Sequence, residues 1–110
     1  MIVVFKHFFY KSYVGLCIWP FIILKEDSFK YDAVLVNHER IHLEQQKELL
    51  ILPFYFLYFI EWMLKTVYYL NSYRAYENIS FEREAYANEW DLDYPVSRKT
   101  FSFIKYLWDN

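Results

Sequence analysis

The chain has 110 residues and a mass of 13.8 kDa, about the size of one hydrophobic core, so we expect a single domain over residues 1–110. Hydrophobic residues make up 56% and charged residues 24%, with one Gly and three Pro, which excludes intrinsic disorder, collagen and low-complexity linkers. The net charge of −2, with Lys and Arg scattered along the chain, gives no basic footprint for nucleic acid and excludes that class of partner.

The first predicted element is a small sheet or hairpin. Residues 2–9 and 12–24 are rich in Val, Ile, Phe and Tyr, and Gly15 and Pro20 interrupt the second run, which favours short strands over a helix. Lysines ahead of an apolar stretch are typical of a secretory signal. No small-residue cleavage site follows, however, so we expect this segment to belong to the fold.

The only cysteine, Cys17, lies within this apolar run and is expected to be a small buried side chain without a chemical role. One cysteine allows neither an internal disulfide framework nor a cysteine-based zinc finger. Any metal must therefore be bound by His and carboxylate side chains. We expect a cytoplasmic protein that is peripheral to the membrane if it contacts one.

Two helices are predicted next. Asp32 can cap the first helix, and Pro53, which lacks a backbone donor, breaks the pattern and begins a second helix at roughly 53–70. One face of the first helix carries residues at the helical period, namely Val34, Leu35, His38, Ile41, His42, Gln45 and Leu49.

The remaining elements are a turn and two more helices. Asn71 and Ser72 mark the turn, and Ser80 can cap a third helix with acidic residues in its first turn. A last amphipathic helix is expected over 97–108, with four side chains facing inward: Phe101, Ile104, Leu107 and Trp108. The sequence thus predicts an α+β fold, with a small N-terminal sheet or hairpin followed by a predominantly helical core of about four helices.

The aromatic run 49–70 is the most apolar part of the chain. It has the length of a membrane span, but Pro53 lies near its start, and Glu61 and Lys65 can pair at i,i+4, so we expect a buried or interfacial helix instead. Aromatic residues make up 25% of the chain, more than so small a domain can hide. We therefore expect a homo-oligomer or contact with a membrane surface through helix 49–70.

The chemistry is carried by the pattern His-Glu-x-x-His at residues 38–42. Side chains at i and i+4 lie one above the other on a helix, so the imidazoles of His38 and His42 can both reach one zinc ion. Glu39 follows His38 directly, which places its carboxylate beside the metal, where it can take a proton from a coordinated water. The alternative interpretation is two hydrogen-bonded histidines and a surface carboxylate that pairs with a neighbour such as Lys47 or Arg83.

A catalytic zinc site needs a third protein ligand and one open position. The remaining histidine, His7, is expected to be a surface or strand-end residue, so the third ligand is a carboxylate from the acidic cluster at 81–89. A helix of about 18 residues spans roughly 27 Å, which is enough to carry the chain back past the His pair. Glu82 and Glu84 point about 200° apart on a helix, so only one of them can address the metal.

These motifs resemble the gluzincin metallopeptidases, in which a Glu from a later helix completes a His-Glu-x-x-His site. Phe81 to Ala85 is similar to the third-ligand segment of the HtpX and CAAX-protease type if Glu82 is the ligand, and 38–42 followed by an apolar helix is similar to BlaR/MecR-type metallopeptidase domains. The resemblance covers roughly 34–90 and implies a small bacterial member of this group. It implies one Zn²⁺ per chain, bound by His38, His42 and Glu82, with Glu84 as the alternative third ligand.

Two positions depart from these families. Tyr86 stands where they carry Asp, so the carboxylate that orients a ligand His is either missing or supplied elsewhere. Arg40 and Glu44 are charged where zincin patterns prefer uncharged residues. Tyr86 lies one turn beyond Glu82, where its phenol can support an oxyanion or contact a ligand, or simply pack as a core tyrosine.

The resemblance implies a zinc-dependent metallopeptidase that acts on a peptide or protein substrate, with Glu39 as the catalytic residue. The alternative is a non-catalytic interaction or membrane-associated module whose metal site is structural or vestigial. A zinc hydrolase that acts on something other than peptides is a third reading of the same residues.

Overall fold

A small three-stranded sheet forms the N-terminal part of the fold in the computed structural model, which describes residues 2–4 and 15–108. Its strands are β1 (Ile2–Val4), β2 (Gly15–Ile18) and β3 (Phe21–Leu24). β3 lies in the centre, parallel to β1 and antiparallel to β2, and β2 and β3 form a hairpin around Trp19 and Pro20. The predicted N-terminal sheet is confirmed over these residues, while His7 and the rest of the predicted strands at 5–14 lie outside the described residues.

The remainder of the described chain is mostly helical, and the α+β class is confirmed. The helices are α1 (Ala33–Leu49), α2 (Ile51–Tyr69), α3 (Ser72–Glu77), α4 (Ser80–Asn88) and α5 (Tyr94–Ser97), and single 3₁₀ turns lie at Asp27–Tyr31 and Ser102–Tyr106. Asp32 caps α1 as predicted, since its carboxylate accepts from the Leu35 amide at 3.1 Å. Pro53 lies in the first turn of α2, where a missing N–H leaves no helical hydrogen bond unmade.

One prediction about α3 and α4 was wrong, and the sequence analysis missed α3. The predicted turn lies where α2 ends, at Leu70 and Asn71, and the Asn71 side chain accepts from the Arg74 amide and caps the short helix α3. Ser80 is the first residue of α4 and not its cap. The carboxylate of Glu61, on α2, accepts from both the amide and the hydroxyl of Ser80 at 2.6 Å each. A long-range carboxylate therefore replaces the local cap that the sequence predicts.

The predicted helix over 97–108 was also wrong. α5 ends at Ser97, and a 3₁₀ turn forms at Ser102–Tyr106; Phe101, just before that turn, has a left-handed φ of 62° that ends any helical path. The four side chains expected to face inward are exposed: Phe101, Ile104, Leu107 and Trp108. Ser102 and Phe103 are buried instead, because the segment is fixed by buried ion pairs of Arg98 and not by an amphipathic helix face.

Two hydrophobic clusters hold these elements together. One lies between the sheet and α1 and contains Cys17, Ile22 and Leu24. The other joins α2 to α4 and the C-terminal turn and is formed by buried side chains of Phe54, Ile79, Phe81 and Phe103. Cys17 is buried as predicted, and burial together with the nearby Glu39 raises the pKa of its thiol well above the usual value.

Helices α1 and α2 meet at 110°, with Leu50 between them at a φ of 68°. Within residues 2–4 and 15–108, no single helix is both long and apolar enough to cross a membrane, and only this bent pair reaches that length and composition jointly. Phe54, near the start of α2, stays beside His42 with ring centroids 6.3 Å apart, and α4 packs back against the histidine face of α1. This packing of α4 against α1 positions the site.

Candidate metal centre

Three side chains from two helices converge at one point. His38 and His42 lie one turn apart on α1, and their Nε2 atoms are 3.2 Å apart. Oε1 of Glu82, from α4, lies 3.1 Å from each of these nitrogens. All three side chains are buried. Adjacent ligands around a tetrahedral zinc ion, with metal distances of about 2.0–2.1 Å, lie roughly 3.3 Å apart. The three atoms therefore have the spacing of one face of such a site.

The hydrogen bonds behind His42 fix which nitrogen faces this point. Nδ1 of His42 lies 2.7 Å from Oε1 of Gln45. Nε2 of Gln45 donates to the carbonyl of Phe81 and to the carboxylate of Glu84, which fixes the orientation of the amide and leaves its oxygen as an acceptor. Nδ1 of His42 must therefore carry a proton, and in the neutral ring Nε2 presents its lone pair to Glu82.

A carboxylate orients His38 in the same way. Nδ1 of His38 lies 2.8 Å from Oε2 of Glu89 and donates to it, because a carboxylate only accepts. The side-chain amide of Asn37 donates to the carbonyls of Glu89 and Asp91, each at 2.8 Å, and holds the end of α4 in place. Glu89 thus supplies the orienting carboxylate that the Tyr86 position does not.

This donor set favours a cation. Two imidazole lone pairs and a carboxylate oxygen face one another in a buried space, and they repel unless a proton or a metal ion lies between them. Burial disfavours the charged form of His42, but the Glu82 carboxylate outweighs it and raises the pKa of His42 from 6.5 to about 9. Burial likewise opposes the charged form of Glu82, yet the two histidines hold its pKa well below the usual value.

Glu39 is buried beside this point. Its Oε2 lies 3.9 Å from Nε2 of His38, outside the triangle of converging atoms, and ligand atoms of His38, Glu39 and His42 all lie within 4.8 Å of one another. Burial raises the pKa of Glu39, and the two histidines partly offset this. Lys47, one of the suggested partners of an ordinary surface carboxylate, pairs with Glu44 instead. Glu39 therefore lies beside the point where the three side chains converge, close enough to reach the same ion.

The structure places Glu84 away from the histidine pair. Its fully buried carboxylate accepts from Arg98 at 2.7 Å, from the hydroxyl of Tyr94 and from Gln45. As the spacing predicts, only one of Glu82 and Glu84 reaches the histidines. Glu84 instead anchors the C-terminal segment and reaches the site only through the Gln45 amide.

Tyr86 packs against a ligand candidate. Its ring lies edge-on to that of His38, with centroids 4.5 Å apart, and its hydroxyl interacts with Tyr76. Tyr76 lines the cleft beside Glu39 and Glu82, whereas Tyr86 is half exposed. Burial raises the pKa of Tyr76, so its phenol stays protonated at neutral pH. The phenol of Tyr76, which the sequence analysis missed, therefore borders the cleft, as do those of Tyr55, Tyr58 and Tyr73.

A cleft of about 830 Å³ opens onto the carboxylates of Glu39 and Glu82 and the imidazole of His42. Its walls are mostly aromatic, and those from α2 and α3 are Phe54, Tyr55, Tyr58, Phe59, Trp62, Tyr73 and Tyr76. The hydroxyl of Tyr58 donates to Oε2 of Glu82 at 2.6 Å, which leaves Oε1 to face the histidines. The cleft is thus apolar along its walls and charged at its floor.

The amide of Gln46 occupies part of the outer edge of β2. Its Nε2 donates to the carbonyl of Cys17 at 2.9 Å, and its Oε1 accepts from the Trp19 amide at 2.7 Å. The hydroxyl of Tyr55 also donates to the Cys17 carbonyl. The backbone groups that an added strand would use at Cys17 and Trp19 are therefore already satisfied from within the chain.

Sequence reasoning brought together His38, Glu39, His42 and Glu82, and missed the groups behind them. Gln45 was visible as a member of the histidine face of α1. Glu89 lies seven residues after Glu82, two turns along the same helix face, which is the signal that would have found it. Comparison with protein-family models, with curated proteins and with solved structures gives no match.

Proposed function

We propose that this protein is a zinc-dependent metallopeptidase. In this proposal His38, His42 and Glu82 bind one Zn²⁺, and Glu39 is the general base. The observation that carries it is the triangle of Nε2, Nε2 and Oε1 atoms, 3.1–3.2 Å apart, with each imidazole fixed from behind by a hydrogen bond. Such orienting bonds are the usual companions of metal-binding histidines.

Bound zinc would supply a Lewis acid for the scissile carbonyl and would lower the pKa of a water at the open position. Glu39 accepts the proton of that water at its carboxylate, and burial supports this role because it raises the pKa of Glu39 toward neutrality. Water oxygen bonds to the carbonyl carbon, the C–N bond breaks, and Glu39 returns the proton to the leaving amine. The second proton of the water stays on the new carboxyl group, so the products are a carboxylic acid and an amine.

The substrate side of the proposal rests on the cleft. Its aromatic walls suit the side chains of a peptide or protein, and the phenol of Tyr76 borders it as a protonated donor for a developing oxyanion. Tyr86 supports this arrangement from behind, through His38 and Tyr76. We further propose a cytoplasmic protein, because one cysteine cannot form the disulfide framework of small secreted domains.

A second candidate function is a non-catalytic interaction module with a structural metal site. The apolar outer side of α2 favours it, since exposed apolar side chains of that extent mark an interaction surface. The two functions share the metal and differ in whether Glu39 is needed. Only the peptidase requires a proton acceptor that does not bind the metal.

The test is Glu39→Gln, with Glu44→Gln as the matched control on the same helix. We expect Glu39→Gln to retain zinc at the parent level and to lose at least about 100-fold in cleavage of dye-labelled casein and a mixed quenched-peptide library. Glu44→Gln should keep both. Parent-like cleavage by zinc-loaded Glu39→Gln would refute the role of Glu39. A parent that binds zinc but cleaves neither probe would favour the interaction module.

A further inference from the structure

Helix α2 turns its apolar side chains outward. Within this fully described helix, every exposed side chain is apolar or aromatic: Leu52, Pro53, Phe56, Leu57, Phe59, Ile60, Met63, Leu64, Val67 and Tyr68. Water-exposed helix faces ordinarily carry charged residues. This helix presents none of its charges to solvent, so its outer side has the composition of an interface.

The two charged residues of α2 point inward. The ammonium of Lys65 is buried and pairs with Glu61 at 2.7 Å. It also donates to the backbone carbonyls of Asn78 and Leu107. Glu61 in turn holds the first residue of α4. The ion pair thus fastens the inner side of α2 to the domain and fixes which side of the helix is left outside.

The outer side has the spacing and the area of a helix-packing surface. Phe56, Ile60, Met63 and Val67 follow one another at intervals of four, three and four residues, a heptad-like seam along the middle of the exposed face. Together with their exposed neighbours they present on the order of 1,000 Å² of apolar surface. Each partner in a standard interface buries about 800 Å², and the largest patch on an ordinary monomer is about 300–600 Å².

We propose that a second copy of this chain packs on this seam, so that the protein is a homodimer with α2 at its two-fold axis. A two-fold interface is self-complementary, and an uncharged apolar face satisfies this requirement by meeting itself. A bilayer surface is the weaker fit, because membrane-surface helices carry Lys or Arg on their polar face, and α2 exposes neither while the chain has a net charge of −2. Phe59 lies between the seam and the cleft, so the partner would cover the cleft's outer rim.

The test compares two Val→Glu variants of similar exposure. Val67 lies on the seam and is 74% exposed, whereas Val96 lies on α5 and is 82% exposed. Because both valines are open to solvent in one subunit, neither substitution disturbs the core, and far-UV circular dichroism should match the parent for both. We expect the parent and Val96→Glu to sediment as dimers at micromolar concentration. Val67→Glu should associate at least about 100-fold more weakly, because it buries an unpaired carboxylate.

Three results would overturn the proposal. One is a parent that is monomeric at about 100 µM, which is about 100 times a micromolar Kd. Another is a dimer that Val67→Glu and Val96→Glu affect equally, and the third is a monomer that instead partitions onto phosphatidylcholine vesicles. The measurement needs no bound metal and no substrate. Its failure would therefore leave the proposed peptidase untouched, and the failure of the peptidase would leave the dimer untouched.

Discussion

Replacement of Glu89 by Gln tests whether the histidine pair is a tuned metal site. The carboxylate of Glu89 accepts from Nδ1 of His38 at 2.8 Å, with the imidazole buried and Glu89 largely so. Glutamine keeps the shape of the side chain and its acceptor oxygen but removes the charge that makes His38 a stronger ligand. Loss of such a partner lowers metal affinity by about 10–100-fold, which corresponds to about 1.4–2.7 kcal/mol of binding free energy.

The assay is competition for Zn²⁺ against a chromophoric chelator at about pH 7.5. The ionic strength is held constant near its physiological value, because salt screens the charges at the protein surface. Glu77→Gln is the matched control, because Glu77 is exposed at the end of α3. This substitution removes the same charge from a side chain that does not contact a histidine. We expect Glu77→Gln to bind zinc like the parent. Equal zinc affinity for Glu89→Gln and Glu77→Gln would refute the inference that Glu89 tunes the site.

Two further predictions concern the stability of the fold and the proton balance of zinc binding. Arg98→Met should lower the free energy of unfolding in urea by about 3–5 kcal/mol, because it leaves the buried carboxylate of Glu84 without its cation. Lys47→Met removes an exposed ion pair and should change the free energy of unfolding by under about 1 kcal/mol, so similar values for the two variants would contradict this prediction. The pKa of His42 rises from 6.5 to about 9, so its charge stabilises the metal-free protein fully below pH 6.5, and this stabilisation is lost as the pH rises through about 9. Zinc uptake at pH 7.5 should therefore release about one proton, measured by calorimetry in two buffers of different ionisation enthalpy, and release near zero would contradict the assignment.

Local signals in the sequence were enough for part of the fold. The Asp32 cap, the helical period of α1 and the β-rich N-terminal runs each act over a few residues, and the structure has the corresponding elements. The pairing of Glu61 with Lys65 also follows from i,i+4 spacing, and it is present at 2.7 Å.

Long-range contacts explain why two elements were predicted wrongly from the sequence. The Ser80 cap failed because a carboxylate from α2 reaches the start of α4, and no local pattern encodes that distance. The helix predicted over 97–108 failed because Arg98 is drawn into buried ion pairs with α1 and α4, which fixes the chain in a non-helical path.

The candidate site also has one part that local spacing predicts and another part that depends on long-range contacts. Spacing alone places His38 and His42 together, while the choice of Glu82 drew on a resemblance to known metallopeptidases. The orienting roles of Gln45 and Glu89 depend on how α4 packs against α1, a long-range contact that no local pattern encodes. A sequence pattern can nominate the ligands of a metal site more readily than the groups that orient them.

The most direct test is the metal content of protein purified without chelators or a histidine tag. Elemental analysis should find about one zinc per chain in the parent and in the exposed control Glu77→Ala, and a loss in both His38→Ala and Glu82→Ala, since each removes one of three ligands. A parent that holds no zinc and takes up none on titration, or variants that keep as much zinc as the parent, would contradict the three-ligand site.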